Sequence, residues 1–342
     1  MLQRLDPALA IRQSAWISVA FLARAVIPRR FYQAVLSSGG WRWCGAAAVV
    51  LQLTVFLVGT EKHGAKNWVM LGPFSTQPGE FSKLFLILFL AGLFRHYRNW
   101  LRVDIAVPTY RLPHPSLFAL VGVWSAVEVA FVAQKDLGMA LLTGVVFLTM
   151  LFVATGRKDV IGVCLLLGAV GSAAAYALYP HVRQRFVAWL EPFSDPLGTG
   201  YQSVQAMYAL ASGGLWGRGL GRGEPGLIPE AATDFITAAL CEEFGLVGFV
   251  AILLLLVLLV ARAYLLAVHS TQEQGVFVLF GLATSFAVQV FLVTGGCLRL
   301  IPLTGLTLPF LSYGGSSMLS SVLCLTLIER CFHSGDSNRE EA

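Results

Sequence analysis

The sequence predicts an all-α fold, a polytopic bundle of membrane helices with one large extracytoplasmic loop. Hydrophobic residues make up 56% of the 342 residues and charged residues only 13%, with a mean hydropathy of +0.71. That is the balance of a chain surrounded by lipid. Apolar segments recur near the length of about 20 residues that a helix needs to cross a bilayer. Cations gather in alternate short connections, the asymmetry that orients membrane proteins.

Taken in order, nine segments are predicted to span: 8–27, 43–60, 81–94, 116–133, 138–155, 160–179, 245–267, 275–294 and 307–329. The first is the weakest, because Arg12 and Arg24 interrupt it. Arg29, Arg30 and Arg42 fall in one connection, Arg95, Arg98, Arg102 and Arg111 in another, and Arg157 with Lys158 in a third. Cytoplasmic loops are enriched in Lys and Arg, so these lie inside, and Arg262 and Arg330 agree. The C-terminus is then cytoplasmic and the 180–244 connection is outside. An odd count leaves the N-terminus outside too, with nothing before residue 8 to act as a signal peptide. A missing first helix is the preferred explanation.

Six cysteines, at 44, 164, 241, 297, 324 and 331, have no CxxC or metal spacing and read as small buried hydrophobes. The net charge of +5 comes mainly from loop arginines, so an anionic membrane surface accounts for it without nucleic acid. No internal repeat or separate soluble domain stands out, and residues 1–342 read as a single integral membrane domain.

The polar residues concentrate in a few places. Within the 180–244 loop, SGGLWGRGLGRG (212–223) packs glycines around Arg218 and Arg222, which reads either as a Gly-rich turn or as a phosphate cradle. It lacks the Walker order, and no strand precedes it as a dinucleotide fold would require. STQPGEFSK (75–83) reads as a helix entrance with Pro78 at the first helical position. Glu80 and Lys83 then form a cap with a local ion pair, or Lys83 leans into an outward-facing cavity; the two are compatible. Asp136 in QKDLGMALL suits the positive end of a helix, and Glu128 should face the bundle interior.

PEAATDFITAALCEEFG (229–245) sets Glu230, Asp234, Glu242 and Glu243 beside an apolar run. If helical, Glu230 and Asp234 share a face one turn apart. Glu242 and Glu243 precede Gly245 and suit a helix junction at the membrane surface. Four carboxylates there form either a solvated collar or part of a site.

Six stretches in order carry a resemblance: LDPALAIRQ, GAKNWVMLGPFSTQPGEFSK, KDLGMALL, YQSVQAMYALASGGLWGRGLGRG, IPEAATDFITAALCEEFGLVG and GLTLPFLSYGGSSML. Together they resemble the SEDS family of bacterial cell-wall proteins, which includes RodA and FtsW, and they run from residue 5 to residue 318. The family pattern is ten helices with both termini cytoplasmic. LDPALAIRQ belongs just after the first of these, which implies that this helix is absent here.

The resemblance implies a peptidoglycan glycosyltransferase that polymerises lipid II at the outer face of the cytoplasmic membrane. Such a reaction needs a base for the acceptor hydroxyl and positive charge for a departing lipid pyrophosphate. By similarity, Asp234 in ATDF is the catalytic carboxylate. Lys83 and Asp136 match polar cavity positions, and Trp68 matches an aromatic residue of the first outer loop. Arg218 and Arg222 are assigned to the pyrophosphate, while Glu80, Glu230, Glu242 and Glu243 are supporting groups. A divalent cation such as Mg2+ is left open.

Two departures are visible: Gly79 where the family usually has serine, and Ala232 where it often has histidine. The family also implies a class B penicillin-binding protein, a transpeptidase, as partner. The run AILLLLVLLV (251–260) would face lipid or that partner's helix. A lipid II flippase and a non-catalytic scaffold are the competing readings. A flippase needs a polar path through the whole bilayer, whereas Lys83, Glu128, Asp136 and Asp234 all fall toward the outer side.

Overall fold

The computed structural model describes residues 2–27, 34–35, 39–62, 65–72, 74–104, 115–270 and 272–340. Arg29, Arg30 and Arg111 lie outside these. Among the described residues nine long helices appear: α2 (Pro7–Val26), α3 (Gly40–Val58), α4 (Pro78–Asp104), α5 (Pro115–Ala133), α6 (Leu137–Thr155), α7 (Lys158–Leu178), α10 (Ile236–His269), α11 (Glu273–Cys297) and α12 (Gly315–Glu340). The short α1 (Leu2–Leu5) precedes them, and α8 (Pro180–Leu190) and α9 (Tyr201–Gly213) lie within the long connection. Six of the helices are long and apolar enough to cross a membrane, and Phe118–Ala133 is a shorter apolar segment. This is a multi-pass membrane protein.

Several elements differ from expectation. The connection between α3 and α4 contains a small antiparallel sheet, β1 (Thr60–Lys62), β2 (Ala65–Leu71) and β3 (Phe74–Thr76), in the order β1-β2-β3. Helix α10 begins at Ile236 rather than 245 and continues on the far side of a break at Gly245 (φ 70°, ψ −177°). The last helix starts at Gly315 rather than 307. Pro302, Pro309 and the left-handed residues Gly305 (φ 74°) and Phe310 (φ 65°) keep the preceding segment irregular.

The chain divides into two compact units. One comprises residues 18–162, 260–286 and 319–342. Its centre is the pairing of α3 with α4, where Leu86, Ile87, Leu90, Leu93 and Phe94 are fully buried. A Cβ on Gly92 would run into the Trp41 ring, so the two helices approach closely through that glycine. In lipid such packing works through dispersion and shape, since apolar surface is no better off against protein than against acyl chains. The other unit comprises residues 1–17, 163–259 and 287–318. Its buried cluster is made of Ala206, Ala209, Ile228, Ala231, Phe235, Ala238, Ala239 and Cys297.

Candidate active site

In the unit containing α4, the first-loop sheet and the start of α6 converge on a closed polar centre. Lys83 Nζ donates to Glu80 Oε2 at 2.8 Å, one turn apart on α4, and both residues are buried. Ser320 Oγ donates to the Glu80 carbonyl at 3.1 Å. The local ion pair expected at this entrance is present, and the cavity reading is compatible with it. Asp136 is the N-cap of α6, accepting from the Met139 amide at 3.2 Å. Its other oxygen accepts from Asn67 Nδ2 at 2.7 Å and Gln77 Nε2 at 3.0 Å. Burial pushes this carboxyl above its ordinary value, and the three donors partly oppose the shift.

Asn67 belongs to GAKNW and Gln77 to QPGE, so one carboxylate ties the sheet to both helix entrances. Trp68 sits beside Asn67 on β2, half-buried and paired in register with Thr60. Glu128 on α5 accepts the Thr143 hydroxyl of α6 at 2.7 Å, facing the neighbouring helix as expected. Gly79 has a packing reason: a Cβ there would lie 3.0 Å from Phe131 Cε1, so a serine would displace that ring by a few tenths of an ångström.

In the other unit, Asp234 stands two residues before α10, half-buried. The expectation of a helical face shared by Glu230 and Asp234 is corrected. Residues 229–235 form consecutive turns, with Glu230 left-handed (φ 53°) and its carbonyl accepting from the amides of Thr233 and Phe235 at 3.0 and 3.1 Å. Two bonds from the LSYGG motif fix this segment. Ser312 Oγ donates to the Thr233 carbonyl at 2.7 Å, and the Tyr313 amide donates to the Ala232 carbonyl at 2.7 Å. Gln13 of LDPALAIRQ in turn accepts from the Gly314 amide at 3.3 Å. The LSYGG motif therefore holds the backbone just before Asp234, and Gln13 in turn braces that motif. Glu230 is exposed and accepts the Thr233 hydroxyl at 3.0 Å.

A residue that sequence reasoning missed lies next to Asp234. The Arg185 guanidinium of α8 reaches to 3.5 Å, and Asp234 Oδ2 to 3.9 Å, of the point where a Cβ on Gly305 would stand. Arg185 Nη1 donates to the carbonyls of Leu303 and Thr304 at 3.3 and 3.2 Å. A carboxylate and a guanidinium thus converge on the position that a side chain at Gly305 would fill.

The glycine-arginine stretch does something other than cradle an anion here. Glu242 Oε1 accepts from Arg218 Nη1 at 2.9 Å, and Glu224 Oε1 from the same nitrogen at 3.4 Å. Glu242 Oε2 accepts from the Glu224 amide and Glu243 Oε2 from the Gly221 amide, at 3.1 and 3.3 Å. Arg4 pairs with Glu243 and donates to the carbonyls of Gly221 and Gly223, both at 2.8 Å. Arg218 and the amides of Gly221 and Glu224 are thereby matched by protein carboxylates. These partners hold the Arg218 guanidinium in its charged form. Arg222 is exposed, with its stem folded over Gly219.

The loop also completes α10. At the Gly245 break the amides of Leu246 and Val247 donate to the carbonyls of Gly214 and Leu215 at 2.9 and 3.1 Å. The carbonyls of Glu242 and Glu243 accept from the amides of Arg218 and Gly219 at 2.9 and 3.1 Å. Each of these backbone groups, which the break removes from the helix ladder, finds a partner in residues 214–219. The helix junction expected before Gly245 is present. Among the described residues no three His, Cys, Asp or Glu side chains converge as a metal cage.

Known proteins share much of this sequence and fold. Peptidoglycan glycosyltransferase RodA of Mycobacterium tuberculosis is 41% identical over 295 residues, which cover 85% of this chain and 63% of that protein. The chain thus spans less than two thirds of the length of its mycobacterial relatives. Stage V sporulation protein E of Bacillus subtilis is 33% identical over 298 residues, covering 84% of this chain and 79% of that one.

Among solved structures, a chain of a peptidoglycan synthase complex described for its coordination of polymerization and crosslinking superposes with a TM-score of 0.73 at 31% identity. It covers 96% of this chain and 91% of its own. The rod shape determining protein RodA of Thermus thermophilus gives a TM-score of 0.63 at 28% identity, covering 96% and 89%. A family model described as "Cell cycle protein", built on FtsW, RodA and SpoVE, matches residues 4–336. The chain belongs to the FtsW/RodA/SpoVE family.

Proposed function

We propose that this protein is a peptidoglycan glycosyltransferase that polymerises lipid II at the outer face of the cytoplasmic membrane. The observation that carries the reading is the approach of the Asp234 carboxylate and the Arg185 guanidinium to the same space beside Gly305. The names of the mycobacterial relatives and the solved synthase complex support it.

In this reading Asp234 is the general base. It takes the proton from the acceptor sugar's hydroxyl as that oxygen bonds to the donor's anomeric carbon. The bond from that carbon to the phosphate oxygen breaks, and its electron pair leaves with undecaprenyl pyrophosphate. A pyrophosphate departs as an anion without needing a proton, so a positioned cation substitutes for the acid of a glycosidase. Arg185 supplies that charge. Its planar fork matches phosphate oxygens, and its anchoring on two carbonyls fixes its direction before substrate arrives.

Arg218, expected on the pyrophosphate, acts instead with Glu242, Glu243 and Arg4 to hold the loop against α10. Lys83, Asp136 and Trp68 act through their own unit, fixing the first outer loop on its helices. A class B penicillin-binding protein is the proposed partner. The exposed side chains of Leu254, Leu255, Val257 and Leu258 offer an apolar helix face to lipid or to a single transmembrane anchor.

The test is lipid II polymerisation by purified protein, with and without a transpeptidase partner, comparing the native chain with Asp234→Asn at matched folding. Glycan strands from the first and none from the second support the assignment. Equal activity would sink it.

A further inference from the structure

Helix α11 ends in a turn that calls for glycine, and the chain puts an arginine there. The Leu300 amide donates to the Gly295 carbonyl at 2.8 Å and the Arg299 amide to the Gly296 carbonyl at 3.2 Å. These are the paired bonds of a Schellman motif, whose left-handed position is usually glycine. Arg299 occupies it with φ 59°. Its Cβ makes that conformation unfavourable, so the side chain must offset the cost elsewhere.

What the side chain does is clasp α8. Arg299 Nη2 donates to the carbonyls of Trp189 and Leu190 at 2.5 and 3.3 Å, and Nε donates to Trp189 at 3.3 Å. These are terminal carbonyls of α8, without helical partners, at the end where the helix dipole favours a cation. Trp189 answers by donating its indole Nε1–H to the Arg299 carbonyl at 2.9 Å. Arg299 Nη1 also lies 3.3 Å from Met207 Sδ on α9.

One turn back on the same helix, Arg185 binds the carbonyls of Leu303 and Thr304. Helix α8 is therefore fastened to the 299–305 segment at both ends of its last turns, in opposite directions. Arg299 reaches from the segment to the helix, while Arg185 reaches from the helix to the segment. With only the Arg185 bonds, α8 could rock about that point and carry the guanidinium with it.

We infer that Arg299 is a positioning residue for the transferase reaction, whose clasp on Trp189 and Leu190 sets where Arg185 stands beside Asp234. The inference rests on the reading of Arg185 as the pyrophosphate's cation. It explains why the turn tolerates an unfavourable residue: glycine would relax the backbone but release α8.

The experiment is a double-mutant cycle on Arg299→Gly and Arg185→Ala. Lipid II polymerisation and the thermal midpoint are read for each single variant and for the pair. Arg299→Gly should lower kcat by about 10- to 100-fold, the order expected when a group is misplaced by about an ångström. It should leave KM and the thermal midpoint near the native values. Trp189→Phe, which keeps a ring but loses the Nε1–H, should lower kcat in the same direction by less. In the Arg185→Ala background Arg299→Gly should add less than about twofold, because both act through one group. Full activity of Arg299→Gly, or a loss that multiplies fully with that of Arg185→Ala, overturns the inference while leaving Arg185 in place. Full activity of Arg185→Ala overturns the pyrophosphate role itself, and the inference falls with it.

Discussion

Around Lys83, charge is matched inside the protein: the ammonium meets Glu80, and Asp136 takes three donors from three different segments. Around Asp234 it is the main chain that is matched first. The backbone is pinned by Ser312 and Tyr313, while the carboxylate is half-buried and approaches a guanidinium anchored on main-chain carbonyls. Both regions use carboxylates and cations near helix ends, yet one is buried and the other half-buried. The difference teaches that a charge in a membrane protein is read by its surroundings: full burial among fixed donors suits it to structure, and a held backbone with a half-buried carboxylate suits it to chemistry.

Substitutions should separate the two regions. The largest effect is expected at Asp234. Asn in its place should lower polymerisation by about 100- to 10,000-fold, the usual worth of a general base, with little change in the thermal midpoint. A collapse of stability would place Asp234 with the structural carboxylates and break the contrast. Next comes Lys83→Met, which strands Glu80 and should cost about 3–5 kcal/mol of stability. Thermal unfolding in detergent measures it, and the double variant with Glu80→Gln should recover most of the loss.

Asp136→Asn has one oxygen left for three donors and should cost about 1–3 kcal/mol. It should also change the pH profile of unfolding. The folded carboxyl is raised above its ordinary 3.8, so the folded state binds the proton more tightly than the unfolded chain. Its contribution is full below that ordinary value and is lost as pH rises through the raised one. The variant should flatten that slope; a slope unchanged by the substitution would mean that another group titrates there. The smallest effect belongs to Arg222→Ala, exposed and apart from the Arg218–Glu242 and Arg4–Glu243 pairs, with stability unchanged within about 0.5 kcal/mol. Polymerisation by this variant should stay close to native, and a large loss would return the pyrophosphate contact to the glycine-arginine loop.

The helices were legible because lipid demands long apolar runs, and their order survives in the structure with shifted ends. The Gly245 junction was legible too, since a glycine after two glutamates interrupts an otherwise continuous segment. The turns at 229–235 were not. Their shape depends on hydroxyl and amide donors at Ser312 and Tyr313, so local spacing suggested a helix that tertiary bonds forbid. Arg185 was also invisible. Its partners are carbonyls 118 and 119 residues away, which every residue type provides, so no side-chain pattern marks them.

The splice between residues 214–219 and the broken α10 has a consequence for motion. Four main-chain bonds, donated by Arg218, Gly219, Leu246 and Val247, join the two segments. None can open alone without leaving its neighbours strained. The four amides should therefore exchange with deuterium as one group, at a single rate set by the unzipping of the whole splice. A helix fracture, ordinarily the place where a membrane span bends, is here a welded joint that transmits force from the loop straight into the span.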